Sequence, residues 1–262
     1  LFKLPDNKPQ VPKDTPRNYF IYGETMSGKS YLANEFPNPI VLNTDGNSEA
    51  NSVPSIQLLN DKDKSGRITN SVIKQLGEIL LALQTQEHSY ETVVIDVIDD
   101  VIEMIKIAVC DELTPPGKPR LKSLSEIPYG KGYDFFNQAI TELVIDLKAL
   151  PMNVIYISRE ITEYNDDGKA VKTLPSLREK YVNLINGNSD LMIRTEKLGN
   201  NYNREVIRKR KTYKSDQIDD KAILKILQTI DGAVTMTANK STKTPKTEAP
   251  KEVEVAAEDD IF

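Results

Sequence analysis

The sequence predicts an α/β fold: a mostly parallel sheet flanked by helices, then an antiparallel hairpin and a disordered acidic tail. Three observations predict it. Strand-length apolar runs alternate with segments of helical periodicity from residue 18 to about residue 158. The run Thr92-Val93-Val94-Ile95-Asp96 is β-branched without a break up to its final acid, as expected for a strand buried on both faces. From about residue 235 the apolar residues thin out, and Lys, Thr, Pro and Ala dominate.

The elements follow in order. Residues 1–17 are rich in Pro and Lys and read as an extended arm. Asn18-Tyr19-Phe20-Ile21-Tyr22 reads as a strand, 29–35 as a helix, and Ile40-Val41-Leu42-Asn43 as a second strand that ends in Thr44-Asp45-Gly46. Over 71–83 the apolar positions 72, 73, 76, 79, 80 and 83 keep helical spacing. The strand 92–96 leads into a helical pattern over 97–113. Four prolines and several basic residues make 114–129 a long surface loop. A helix over 133–150 stops at Pro151, and Asn153-Val154-Ile155-Tyr156-Ile157-Ser158 is the next core strand. The turn Asn165-Asp166-Asp167-Gly168 marks a hairpin within 161–173. A helix over 177–185 follows, then 191–198 and 205–210 flank Gly199-Asn200-Asn201 as a second hairpin, and 222–230 forms a short last helix. The organisation is thus an arm over 1–17, a domain over 18–234, and a disordered linker with an acidic tip over 235–262.

Composition narrows the function classes. With 262 residues and 39% hydrophobic content, one sizeable domain plus a tail is expected. A net charge of -5 excludes a molecule that coats nucleic acid with its whole surface, so any such contact must be a local patch. Cys110 is the one cysteine, which excludes an intrachain disulfide and fits a reducing cytoplasm. It lies in an apolar helical run and reads as core. His88, the one histidine, sits in a polar loop, which argues against a histidine-based triad. No apolar run reaches membrane-spanning length, and no signal-peptide pattern opens the sequence.

Between the first strand and first helix stands Gly23-Glu24-Thr25-Met26-Ser27-Gly28-Lys29-Ser30, a complete G-x-x-x-x-G-K-[ST] phosphate-binding loop. The order strand, glycine turn, helix is what the chemistry needs, because inward N–H groups and a helix N-terminus then face the phosphates. Gly23 and Gly28 let the backbone wrap an anion closely. Lys29 supplies an ammonium to the β- and γ-phosphates, and Ser30 a hydroxyl to Mg²⁺. The expected nucleotide-contacting segment is the loop with Tyr31, and the cofactors are ATP and Mg²⁺.

Such a loop needs a carboxylate at a neighbouring strand end to orient the metal, and Asp96 supplies it; Asp96 also suits the N-cap of the next helix, and the two roles are compatible. Asp99 and Asp100 follow closely. Asp45, after the second strand, is the expected water-positioning carboxylate, with Glu49 in reserve; the bland reading of 44–47 is a turn. Ser158 ends the strand after Asp96, where a group that senses the γ-phosphate would stand.

With these pieces the chain resembles phage-encoded RecA-like P-loop ATPases, a group of AAA-type nucleotide-binding proteins that includes single-strand-annealing recombinases. The matching segments are the phosphate loop, Val41-Leu42-Asn43-Thr44-Asp45-Gly46, Val93-Val94-Ile95-Asp96, Tyr129-Gly130-Lys131-Gly132-Tyr133 and Val154-Ile155-Tyr156-Ile157-Ser158-Arg159-Glu160. They span about residues 18–212. The resemblance implies a RecA-like P-loop NTPase core, ATP with Mg²⁺, and a role in phage DNA recombination or repair inside the bacterial host. Relatives often carry histidine where Arg159 stands, a departure at the sensor position.

Arg204, Arg208, Lys209, Arg210 and Lys211, with Lys214, form the densest basic cluster, bracketed by Tyr202 and Tyr213. Arg208 and Arg210 are expected on one strand face, with Lys209 and Lys211 on the other. Three readings stay open: single-stranded DNA contact, a finger reaching a neighbouring subunit's ATP, and a charged edge strand. Lys118, Arg120 and Lys122 make a second basic loop that suits DNA or a neighbouring subunit. The tip Glu258-Asp259-Asp260-Ile261-Phe262 is similar to the C-terminal tip of bacterial single-stranded-DNA-binding proteins, which implies partner docking through Asp259, Asp260, Ile261 and Phe262; an ordinary solubilising tail is the alternative. The expectation is an oligomeric, ATP-dependent single-stranded-DNA-binding recombinase or annealing ATPase. The alternative is a nucleotide-switched replication or repair loader with slow hydrolysis. No acceptor-site or lid motif supports a small-molecule kinase.

Overall fold

Most of the apolar strands are joined by helical crossovers, which return the chain to the same end of one sheet. The computed structural model describes residues 3–4, 6–8, 14–46 and 52–236. In it β1 (Asn18–Gly23), α1 (Lys29–Asn34) and β2 (Pro39–Asn43) are followed by three short strands, β3 (Ser55–Gln57), β4 (Asp61–Lys62) and β5 (Ile68–Asn70). Then come α2 (Val72–Thr85), β6 (Thr92–Asp96), α3 (Ile98–Glu112) and α4 (Lys131–Ala149). The last part holds β7 (Asn153–Tyr164), β8 (Ala170–Pro175), α5 (Glu179–Asn188), β9 (Leu191–Leu198), β10 (Asn201–Lys209) and α6 (Lys221–Leu227).

The strand order is β10-β9-β1-β7-β6-β2-β3. From β9 to β3 all neighbours are parallel, and β10 runs antiparallel to β9. β7 stands between β1, which leads into the phosphate loop, and β6, which ends in Asp96. This inserted strand sets the loop and Asp96 at one end of the mostly parallel α/β sheet that the sequence predicts.

Side-chain alternation sorts each strand between two cores. Tyr19 and Ile21 pack with Leu32 and Ala33 of α1 and with Ile223 and Leu227 of α6. Phe20 and Tyr22 face the other way, into the larger core built by α2, α3, α4 and α5. Ser71 caps α2 by accepting from Lys74 N, and Asp220 caps α6 by accepting from Ala222 N and Ile223 N. Cys110 is buried core, and His88 is exposed.

Three details differ from the sequence expectation. β7 runs on to Tyr164, because β8 gives its outer half an antiparallel partner once it leaves the main sheet. The second hairpin turns tightly at Gly199, so β10 starts at Asn201 and not at residue 205. β3, β4 and β5 are too short to show a period. The loop over 114–129 contains a 3-10 turn at Leu124–Glu126 and enters a second at Pro128–Gly130. Among the described residues no helix is long and apolar enough to cross a membrane.

Candidate functional site

The loop is set by what surrounds β1. A Cβ on Gly23 would lie 2.2 Å from Thr195 O and 2.7 Å from Ser27 Oγ, so only glycine lets β9 approach here. Ser27 Oγ and Thr195 Oγ1 share a hydrogen bond of 2.7 Å. Gly28, at φ 88°, turns the chain into α1 in a left-handed conformation. Among the described residues no side chain caps α1, which leaves the first-turn N–H groups to a ligand. Lys29 Nζ lies across the loop and donates to Gly23 O (2.9 Å) and Glu24 O (2.6 Å). Burial lowers its pKa, against the pull of Asp96 and Asp99.

Across the loop, Ser30 Oγ donates to Asp96 Oδ2 at 2.6 Å. Burial raises the Asp96 pKa, partly offset by Ser30 and Lys29. Thr44 N donates to Asp96 O, which ties the end of β2 to the end of β6. Asp45, the next residue, is exposed and raises the pKa of Asp96 and of Arg159 through its charge.

The first turn of α3 holds two further carboxylates with different fates. Asp99 accepts from Ser158 Oγ and Arg159 N, and burial pushes its pKa up to about 6. Asp100 is held below the ordinary carboxylate range, chiefly by Arg159, whose guanidinium binds both its oxygens at 2.7 and 2.6 Å. Thr44 Oγ1 also donates to Asp100. Ser158, expected to sense a phosphate, is instead fully buried and bonded to Asp99. Nearby, Arg194 binds the buried Glu160 carboxylate at 2.8 and 3.1 Å, a pair that ties β7 to β9 across the end of β1.

A cavity of about 590 Å³ opens beside the loop, lined by Met26, Gly28, Lys29, Ser30, Tyr31 and Tyr202, among others. That size suits a nucleotide-scale ligand. The Tyr202 ring approaches a Cβ position on Gly28 to 3.0 Å, and Lys197 Nζ stands 5.3 Å from its centroid. Mg²⁺ prefers hard oxygen ligands and takes one or two from protein when phosphates supply others. The Ser30–Asp96 pair meets that requirement. An orphaned buried amide, Asn43, lies at the β2 position paired with Asp96.

The basic hairpin is arranged differently from the expectation. Arg204 has a side chain only 12% exposed, and binds both oxygens of Glu35 at the end of α1. Arg210 donates to Gly187 O and Ser189 O and pairs with Asp190; Lys211 pairs with Asp14; Lys209 donates to Gly232 O. Arg208 stays exposed. β10 ends at Lys209, just after a bulge between Val206 and Arg208, so the strand alternation expected for 208–211 does not extend over Arg210 and Lys211. Tyr213 is buried in the core and cannot stack on a base, while Tyr202 borders the phosphate loop. Glu49 and the tip residues Asp259, Asp260, Ile261 and Phe262 lie outside the described residues.

The sequence assigns no role to Asn43 and Thr44, and marks Asp100 only as a carboxylate following Asp96. The available signal was position: all three flank strand ends at the sheet edge that carries the loop.

A family model described as an AAA domain matches residues 15–254. No curated protein matches the chain. Among solved structures, the flagellar accessory protein FlaH from Methanocaldococcus jannaschii is similar at 13% identity, with a TM-score of 0.34, over 74% of this chain and 80% of that one.

Proposed function

The chain belongs to the AAA-domain family and is a P-loop ATPase, and from that premise we propose Mg²⁺-dependent ATP hydrolysis stimulated by single-stranded DNA, in phage DNA recombination or repair. The observation that carries the hydrolytic part is the 2.6 Å bond between Ser30 Oγ and Asp96 Oδ2 beside the phosphate loop. These two oxygens would hold the metal. Bound Mg²⁺ supplies positive charge against the β- and γ-phosphate oxygens.

The chain's own residues do the rest. The first-turn N–H groups of α1 and the loop backbone bind phosphate oxygens. Lys29 exchanges its bonds to Gly23 O and Glu24 O for phosphate oxygens, in a buried setting that strengthens the attraction. Tyr202 and Tyr31 offer aromatic faces to the base in the adjoining cavity. Asp45, exposed beside Asp96, positions the attacking water.

The DNA part rests on the resemblance to recombination ATPases, as does the homo-oligomer, ring or filament. Two features support a strand contact before α4. Lys118 and Lys122 are exposed and form no ion pair among the described residues. Tyr129 is 94% exposed at φ 59°, a left-handed backbone that a tyrosine rarely adopts. Cations with an open aromatic face suit a single strand. Tyr133, one turn on, lines a cavity of about 400 Å³ together with Arg159 and Asp100, so this surface adjoins the nucleotide site.

The test is ATP turnover with and without single-stranded DNA, for the wild-type chain and Lys29→Ala. Turnover that rises several-fold with DNA and vanishes in the variant is expected. Turnover that survives in Lys29→Ala overturns the site. Slow turnover indifferent to DNA, with no binding at low salt, favours a nucleotide-switched loader.

A further inference from the structure

Asn43 is a buried polar residue that the fold leaves unexplained. It ends β2, is 2% exposed, and neither Oδ1 nor Nδ2 has a hydrogen-bond partner among the described residues. Such a group is destabilising, and an apolar side chain of similar volume would serve the core better. Its surroundings show where it faces. Val41 and Val94 belong to the core on the α1 side of the sheet, and Asn43 and Asp96 each stand two residues further along the same strands. The register pairs Asn43 with Asp96 directly. The orphaned amide therefore lies on the face where Ser30, from α1, reaches the Asp96 carboxylate.

We propose that Asn43 is a positioning residue for the metal, its amide binding a water that Mg²⁺ carries. The inference rests on reading the loop as an Mg²⁺–nucleotide site. Mg²⁺ gives up its waters reluctantly, and those it keeps need protein partners. Ser30 Oγ and Asp96 Oδ2 are the oxygens read as holding the metal, so a water that it keeps needs another polar partner. An amide does this without adding a charge beside the Asp96 carboxylate, with which Asn43 is paired in register. The unmet hydrogen bonds of Asn43 are thus a cost in stability that metal-bound nucleotide repays.

The two effects have opposite signs in one variant. Asn43→Leu removes the orphaned amide, so the melting temperature without nucleotide rises by about 2–4 °C. Calorimetric titration of the same variant with ATP shows affinity in Mg²⁺ lowered about 10-fold, with affinity in EDTA unchanged. Asn43→Ala serves if the leucine variant does not fold, and shows the same loss confined to Mg²⁺. If the wild type binds ATP equally well with and without Mg²⁺, the reading of the site fails. If the wild type shows the Mg²⁺ effect and both variants keep it, the role of Asn43 fails and the site stands.

Discussion

Ser30 and Asp96 are separated by 66 residues, yet the hydroxyl of one donates to the carboxylate of the other at 2.6 Å. The contact exists because β7 holds β1 and β6 in a shared parallel register, with Gly23 opposite Arg159 and Asp96 opposite Ile157. Asp96→Asn keeps the shape and removes the charge. We expect it to lower kcat at least about 100-fold, since metal-assisted charge stabilisation is worth several kcal/mol. Ser30→Ala should weaken ATP binding in Mg²⁺ more than in EDTA. Steady-state kinetics and titration check both, and unchanged kcat in Asp96→Asn would remove it from the reaction.

Asp99 makes stability depend on pH. Its pKa is raised from 3.8 to about 6 in the folded protein, chiefly by burial. The folded state thus holds this proton more tightly than the unfolded chain does. The resulting stabilisation is complete below about pH 4 and is lost as pH rises through about 6. A shift of roughly two units corresponds to about 3 kcal/mol. Asp99→Asn cannot ionise, so between pH 4 and 7 it should gain on the wild type by up to that amount. Urea unfolding of both proteins across this range tests it, and parallel profiles would contradict the assignment.

Much of this arrangement was legible in the sequence, for physical reasons. The loop motif and the apolar run before Asp96 are local, and parallel strands buried on both faces advertise themselves by composition. What stayed hidden depends on distant pairing. Tyr202 and Arg204 read as part of a basic stripe, because nothing in their own segment shows that β9 lies beside β1. That pairing brings the hairpin against Gly28 and Glu35. Arg159 reads only as a departure at the sensor position, because nothing in its own segment shows that α3 brings Asp100 within 2.6 Å of its guanidinium. The orphaned state of Asn43 is a property of the packed sheet and has no local signature.

Tyr202 should behave as part of the nucleotide site. Its ring borders the cavity beside Gly28, and aromatic stacking on a base is worth about 1–3 kcal/mol. Tyr202→Ala is expected to raise KM for ATP about 10-fold with little change in kcat, while Tyr202→Phe keeps the wild-type value. Measured DNA affinity should not change. A fall in DNA affinity with KM intact would return Tyr202 to the strand-binding surface.

The basic residues divide by what already neutralises them. Arg204 is committed to Glu35, and their side chains are 12% and 31% exposed, so its charge is spent inside the protein. Lys118 and Lys122 are exposed, with no ion pair among the described residues. Each phosphate contact removed should lower the slope of log affinity against log salt by about 1. The double variant Lys118→Ala/Lys122→Ala is therefore expected to weaken single-stranded DNA binding and flatten its salt dependence, while ATP turnover without DNA persists. Arg204→Ala should act on the fold instead. It leaves Glu35 without its bidentate partner and loosens the hairpin from α1, costing about 1 kcal/mol of stability. Binding titrations over a salt series, with melting curves for each variant, separate the two effects. If Arg204→Ala flattens the salt dependence and melts like the wild type, the hairpin carries the strand and the loop before α4 does not.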